Sequence, residues 1–231
     1  MAVLWHHRFM GQVMSSASIE EWIEFVFARP VEEPAWFWEE DADQWQGSPA
    51  HTAELIAETF ERCGELLEPY DDEQVNQGLS MLLNAGSPPA LGCLASSEVP
   101  LPVRERLLES VEVLFTDLFA VRCSDTLGHL EEEAGPLNSM AYLWWDVFPV
   151  RPDDESSVVN RAHDIVLGLL DRILDLPSDA CRESALHGLA RWQALYPERV
   201  GESIDRFIWS TRHIRTPLRN YAYAARHGDV P

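Results

Sequence analysis

A chain of 231 residues has room for a substantial buried core, in one domain or in two closely packed ones, and its 46% hydrophobic and 24% charged composition is that of a globular protein. The formal charge of −22, from 39 acidic residues against 17 basic ones, repels nucleic acid and anionic membrane surfaces and favours a basic partner or a cation. All 17 bases are Arg, which excludes sites that need a Lys amine: a Walker A phosphate loop, a Schiff-base lysine and the strand lysine of protein kinases.

Met1 to Ala17 is apolar in places, but Arg8 and the His6–His7 pair interrupt it. No basic segment precedes an apolar run there, so the stretch does not read as a signal peptide. No segment approaches the length of a membrane span, and the expected location is the cytoplasm. The missing Lys, with abundant Ala, Leu, Arg and Trp, is in keeping with a GC-rich bacterial genome.

Helical spacing then recurs along the chain. Ser18 and Glu21 form a capping box ahead of Ile19, Trp22, Ile23 and Val26. Ser48 and Pro49 open a helix with Ala53, Ile56, Ala57, Phe60 and Leu67 on one face, which Pro69 ends; a helix with Val75, Leu79, Leu82 and Leu83 follows. From Pro102 to about Arg122, Val103, Leu107, Leu108, Val111, Leu114, Phe115, Leu118 and Phe119 form a buried face. Pro136 opens a helix with Leu137, Met140, Ala141, Trp144, Trp145 and Phe148. Val158 to Leu176 is the clearest amphipathic pattern, with Ile165, Val166, Leu169, Leu170 and Ile173 opposite Arg161, Asp164, Asp171, Arg172 and Asp175. Pro177 stops it, and Ser178 or Asp179 caps the next helix, marked by Ala185, Leu189 and Trp192. Val200, Ile204, Phe207 and Ile208 mark another after Pro197. Thr216 and Pro217 cap and start the last, with Leu218, Tyr221, Ala222 and Ala225, and Gly228 ends it.

No alternating strand of useful length interrupts this series. The fold class expected is all-α: antiparallel helix pairs stacked as a HEAT- or armadillo-like α-solenoid, with a compact irregular helical bundle as the alternative because no sequence repeat is visible. The organisation expected is a single domain over 1–231, with a subdivision near 87–101. Two segments read as loops: Arg29 to Pro49, rich in acids and aromatics, and Ser87 to Leu101, with Pro88, Pro89 and Pro100. Cys63, Cys93, Cys123 and Cys181 form no C-x-x-C pair and read as buried free thiols.

Charge is uneven. Residues 1–99 carry 18 acids against 3 arginines, a net of −15, whereas residues 206–231 carry Arg206, Arg212, Arg215, Arg219 and Arg226 against Asp229 alone, a net of +4. The tail either balances acids on neighbouring helices or contacts an anionic group.

Ser184 to Leu189 (SALHGL), Tyr196 to Val200 (YPERV), Ile204 to Phe207 (IDRF) and Leu218 to Ala222 (LRNYA) succeed one another within residues 183–230. That segment, under a quarter of the chain, resembles the C-terminal part of bacterial HEAT-like helical-repeat proteins. The resemblance implies a binding surface, since folds of that kind mostly serve as such, although fold alone does not fix function. Some bacterial HEAT-like proteins are DNA glycosylases that use Trp and Asp in a basic concave groove. Here Trp144, Trp145 and Asp146 are adjacent and Trp192 follows Arg191, but a field of −22 opposes DNA binding.

The segment that best fits a partner carries Trp36, Trp38 and Trp45 among Glu39, Glu40, Asp41 and Asp43. Trp gives large buried area at low entropic cost, and the acids would steer a basic partner. Against this, the aromatics can instead cover the first helix pair as local core. The acids lack the spacing and central Gly of a calcium loop and read as a solvated run. His129, two residues before Glu131, lacks the Pro-Cys-x-x-Cys element of zinc deaminases and reads as a surface or turn residue; His163 and His187 show no metal-ligand spacing. No catalytic residue, metal or cofactor is assigned. The function expected is a non-catalytic interaction module for a basic protein partner, of adaptor or immunity type, with neither nucleic acid nor membrane as partner. The alternative is an enzyme with a carboxylate and His site in the groove of the stack, a metal-assisted hydrolase before a DNA glycosylase. A third reading is an assembly subunit that buries its aromatics in a homo-oligomer.

Overall fold

The computed structural model describes residues 17–39, 41–83, 90–130, 133–152 and 157–230, without the side chains of 157–160. Among these residues every regular element is helical, and there is no strand.

Local chemistry sets most of the boundaries. Helix α1 (Ile19–Phe27) starts at the reciprocal Ser18–Glu21 capping box and buries Trp22, Ile23, Phe25, Val26 and Phe27. Helix α2 (Pro49–Glu61) is capped by Ser48, whose hydroxyl accepts from the His51 N–H at 3.3 Å. The apolar spacing predicts one helix through Leu67, but the backbone breaks at Arg62 (φ −120°, ψ 21°), and the single turn α3 (Cys63–Leu66) follows. Arg62 spans the break, with nitrogens 2.7 Å from Glu58 and 3.1 Å from Glu65. Helix α4 (Asp72–Leu83) comes next. A 3-10 turn, Ala90–Ala95, occupies the second expected loop and buries Leu91 and Leu94 against α2 and α4, which ties that segment into the core. Residues 87–89 of that loop, like Met1 to Ser16 and Glu40, lie outside the described residues.

The rod expected from Pro102 to Arg122 is continuous but not uniform: α5 (Leu101–Val113), a π-helical turn (Leu114–Phe119) and α6 (Ala120–Arg122). Single π turns inside α-helices are a known local variant that apolar spacing does not announce. Helices α7 (Pro136–Val147), α8 (Ser157–Leu174), α9 (Asp179–Trp192), α10 (Pro197–Ser210) and α11 (Thr216–Ala225) complete the fold. Ser178 caps α9 by accepting the Cys181 N–H. At α11 the N-cap is Arg215, without a side-chain cap, so Thr216 is the first helical residue rather than the cap. Gly228 terminates that helix at φ 72°, a left-handed conformation that suits glycine.

Two successions of neighbours run through the chain: α2 against α5 and α5 against α8, and α4 against α7, α7 against α9 and α9 against α11. Buried side chains from α1 to α11 form one connected cluster. Trp144 of α7 is its hub, with ring centroids of Phe60, Phe119 and Phe115 at 6.0, 5.9 and 6.2 Å. Helix α9 is buried nearly all round, and at Gly188 it comes so close to α7 and α8 that a Cβ would sit 2.6 Å from Leu170 and 2.9 Å from Trp145.

Several arginines join one helix to another. Arg106 meets Glu61 at 2.6 Å, Arg161 meets Glu105 at 3.1 Å and Arg172 meets Glu112 at 2.6 Å. Farther on, Arg199 meets Asp164 at 2.7 Å and Arg206 meets Asp171 at 3.1 Å. These pairs link α2, α5, α8 and α10 in order. Because Glu105 and Glu112 match Arg161 and Arg172 in the same sense, and Asp164 and Asp171 match Arg199 and Arg206 likewise, α5, α8 and α10 run parallel. Exposed pairs of this kind contribute little stability each, but their regular placement follows the order in which these helices neighbour one another. In the basic tail, Arg206 and Arg226 are thus balanced by Asp171 and Asp205 on adjacent helices.

Candidate docking surface and a buried polar network

The segment between α1 and α2 is built on the aromatic face of α1. Trp45 packs edge-on to Trp22 at 4.7 Å and lies 5.3 Å from Phe25, while its indole N–H donates to Thr52 at 3.0 Å. Trp22 donates to Thr59 at 3.0 Å in the same way, so α2 offers two hydroxyls, two turns apart, to two indoles. A 3-10 turn, Trp36–Trp38, then divides its aromatics. Trp36 is 6% exposed and sits edge-on to Phe25 at 5.6 Å. Phe37 is half-buried, and Trp38 is 54% exposed.

Of the seven residues that sequence marks for partner binding, Trp36 and Trp45 therefore serve as local core, and Trp38 does not. Glu39 and Asp41 are exposed, and Glu40 lies outside the described residues. Asp43 is engaged internally: it accepts from Arg29 at 3.0 Å, and the same guanidinium stacks 4.5 Å from the centre of the Trp36 ring.

Trp38 borders an open groove of about 310 Å3. One wall is Val31, Glu32, Ala35 and Phe37. The other is a polar stripe of α4, Glu73, Asn76, Gln77 and Ser80, with Pro136 at the end. The spacing of those four places them on one face of α4. Gln77 also anchors the opposite wall, since its amide donates to the Pro30 carbonyl at 3.0 Å. Neither Glu32 nor Glu73 forms an ion pair among the described residues.

The second cluster centres on α9 and was not legible in chain order. Glu183, Ser184, His187 and Arg191 project from α9, where Glu183, His187 and Arg191 repeat every fourth residue. Glu183, 1% exposed, accepts the backbone N–H groups of Gly128 at 2.6 Å and His129 at 3.1 Å, and it also holds the His129 ring. A carboxylate only accepts, so His129 carries its proton on Nδ1. The His129 ring stacks on Tyr221 at 4.4 Å. From there a chain of hydrogen bonds runs outward: Tyr142 O–H to the Tyr221 oxygen at 3.3 Å, Tyr221 O–H to His187 Nδ1 at 2.8 Å, and His187 Nε2–H to Asp146 at 3.1 Å. Arg191 closes on Asp146 at the surface. Burial raises Tyr221 and Tyr142 above the ordinary phenol range, so both remain protonated donors. His129, expected as a surface or turn residue, does lie in a 3-10 turn (Gly128–Leu130), but it is half-buried against Glu183 and Tyr221, which come from 54 and 92 residues away. The four-residue polar repeat Glu183, His187, Arg191 on the largely buried α9 is the signal that marks it.

His163 is likewise internal: Tyr196 donates to Nδ1 at 3.0 Å, and Nε2–H donates to the Arg151 carbonyl at 3.1 Å. Among the described residues no three His, Cys, Asp or Glu side chains are grouped to hold a metal ion, and no helix is long and apolar enough to cross a membrane. No protein-family model matches the chain, and neither does any curated protein or solved structure.

Proposed function

We propose that the protein is a non-catalytic protein–protein interaction module that holds a basic protein partner on an acidic, aromatic surface. The observation that carries this reading is Trp38: a 54% exposed indole beside a groove whose two carboxylates pair with no cation among the described residues. An exposed Trp in such a setting is the kind of anchor that dominates binding energy once covered. The arginine pairs along α2, α5, α8 and α10 support it from the other side, since they neutralise acids there and leave the N-terminal half as the acidic pole. The parallel run of α5, α8 and α10 supports a HEAT-like stack as the scaffold, acting in the cytoplasm as an adaptor or immunity-type protein.

The test is cross-linked capture from the source cells at low and at physiological salt, with Trp38→Ala run alongside. Recovery of a basic protein that Trp38→Ala loses supports the reading. Failure to recover any basic protein at either salt counts against it.

A second reading, an enzyme with a carboxylate and His site, draws on the Asp146–His187–Tyr221 chain. Tyr221 is 4% exposed and held protonated, which suits a packing role better than a nucleophile. Hydrolytic activity abolished by His187→Ala in a still-folded protein would favour this reading.

A further inference from the structure

We propose that the Trp38 groove reads arginine: it holds the guanidinium of an arginine in an extended basic segment of the partner, stacked on the Trp38 indole between Glu32 and Glu73. The inference rests on the docking reading above and narrows it to one side-chain chemistry.

The molecule already contains one arginine held this way, on the inner side of the same three-residue turn. Arg29 lies with its guanidinium carbon 4.5 Å from the Trp36 ring centre and 5.2 Å from that of Phe25. Its Nη1 donates to Asp43 at 3.0 Å and its Nε to the Phe25 carbonyl at 3.1 Å. An aromatic face, a carboxylate and a neutral oxygen acceptor therefore suffice, in this local backbone, to seat a guanidinium. The outer side of the turn offers the same three parts. Trp38 supplies the face, and Glu32 and Glu73 supply the carboxylates. Gln77, 6% exposed, supplies the neutral oxygen: its Nε2 is committed to the Pro30 carbonyl at 3.0 Å, while its Oε1 accepts no hydrogen bond among the described residues. That oxygen is therefore open to accept from a donor that enters the groove.

Size and charge narrow the occupant further. About 310 Å3 suits one long side chain and its flanking backbone, not the ridge of a packed helix. The N-terminal 99 residues carry a net of −15, which draws in a basic segment. Arginine fits better than lysine, because a planar guanidinium can stack on an indole and still direct several N–H donors at carboxylates and an amide oxygen in its plane.

The test is calorimetric titration of the full-length protein with short, end-blocked homopeptides of arginine, lysine and the neutral isostere citrulline, at near-physiological salt. The arginine peptide is expected to bind several-fold more tightly than the lysine peptide, and citrulline not at all. Trp38→Ala should erase the arginine preference, Trp38→Phe should keep part of it, and Glu32→Gln with Glu73→Gln should weaken both cationic peptides. Equal binding of arginine and lysine peptides overturns the arginine pocket while leaving an acidic docking surface in place. So does an arginine preference that survives Trp38→Ala. Absence of binding to either cationic peptide even at low salt overturns the pocket and the docking reading together.

Discussion

The Tyr221 hydroxyl lies 2.8 Å from Nδ1 of His187, and it is the only donor that reaches that nitrogen among the described residues. Tyr221→Phe keeps the stack with His129 but leaves a buried acceptor unpaired. Loss of a partner to a buried polar group costs about 1–3 kcal/mol, so a lower denaturation midpoint is expected. Tyr142→Phe should cost less, because its hydroxyl reaches Tyr221 only at 3.3 Å and is nearer solvent. Urea denaturation of both variants checks the order; equal midpoints for wild type and Tyr221→Phe would mean that this chain of hydrogen bonds contributes nothing.

Gly188 is where three helices meet most closely. A methyl group there would press to 2.6 Å on Leu170 and 2.9 Å on Trp145, both of them buried, so the surrounding core would have to shift. Overpacking of this kind costs about 1–3 kcal/mol, so Gly188→Ala should lower the melting temperature. Gly64→Ala is the control: its added methyl would come no nearer than 3.8 Å, to Asp117, and its melting temperature should match the wild type. Calorimetry of the two variants separates close packing from a general intolerance of substitution.

Burial pushes the thiols up: Cys63 and Cys93 to about 12 and Cys181 to about 11, from an ordinary 9.0. A group raised in the folded state favours folding fully below its unfolded value. Above that value the unfolded chain releases its thiol protons first, so stability falls as pH rises toward the folded values. Denaturation midpoints should therefore drop from about pH 9 upward, and should drop less in Cys63→Ser, provided that variant folds. Alkylation should be slow in the native protein and rapid for all four thiols in denaturant.

Two hydrogen bonds from Arg226, at 2.7 and 2.8 Å, hold the Asp205 carboxyl below its ordinary range. A depressed carboxylate contributes above its unfolded value and loses that contribution as pH falls through the lower, folded one. Both side chains remain more than a third accessible to solvent, so the effect on stability is small and screened by salt. The clearer readout is the titration itself: the Asp205 carboxyl resonance should move to higher pH in Arg226→Gln. An unchanged titration would show that the pair is not formed in solution.

Apolar spacing marked nearly every long helix because each of them buries one stripe, and a stripe leaves its period in the sequence. The capping box at Ser18 and the cap at Ser178 are equally local, requiring only neighbours three residues apart. The break at Arg62 and the π turn at Leu114–Phe119 leave no such trace, since the buried residues continue across both. The polar network around Glu183 escaped for a different reason: its members are local to four elements, and only packing of α7, α9 and α11 brings them together. In the aromatic loop, composition located the cluster but not its division. Which indole turns inward depends on the backbone of the Trp36–Trp38 turn and on Gly47, where a Cβ would collide with the Trp45 ring at 2.3 Å.

That division can be measured directly on the three tryptophans. Trp45→Ala removes a ring packed on Trp22 and Phe25 and orphans Thr52, so it should cost about 2–4 kcal/mol, toward the range for aromatic truncation in cores. Trp36→Phe should cost much less, because the buried indole N–H of Trp36 has no hydrogen-bond partner and its removal also removes that penalty. Trp38→Ala should leave stability within about 0.5 kcal/mol of wild type, as surface substitutions do. If instead Trp38→Ala destabilises as much as Trp45→Ala, the Trp38 indole is packed in solution, the groove beside it is not open, and neither the docking surface nor its arginine pocket survives.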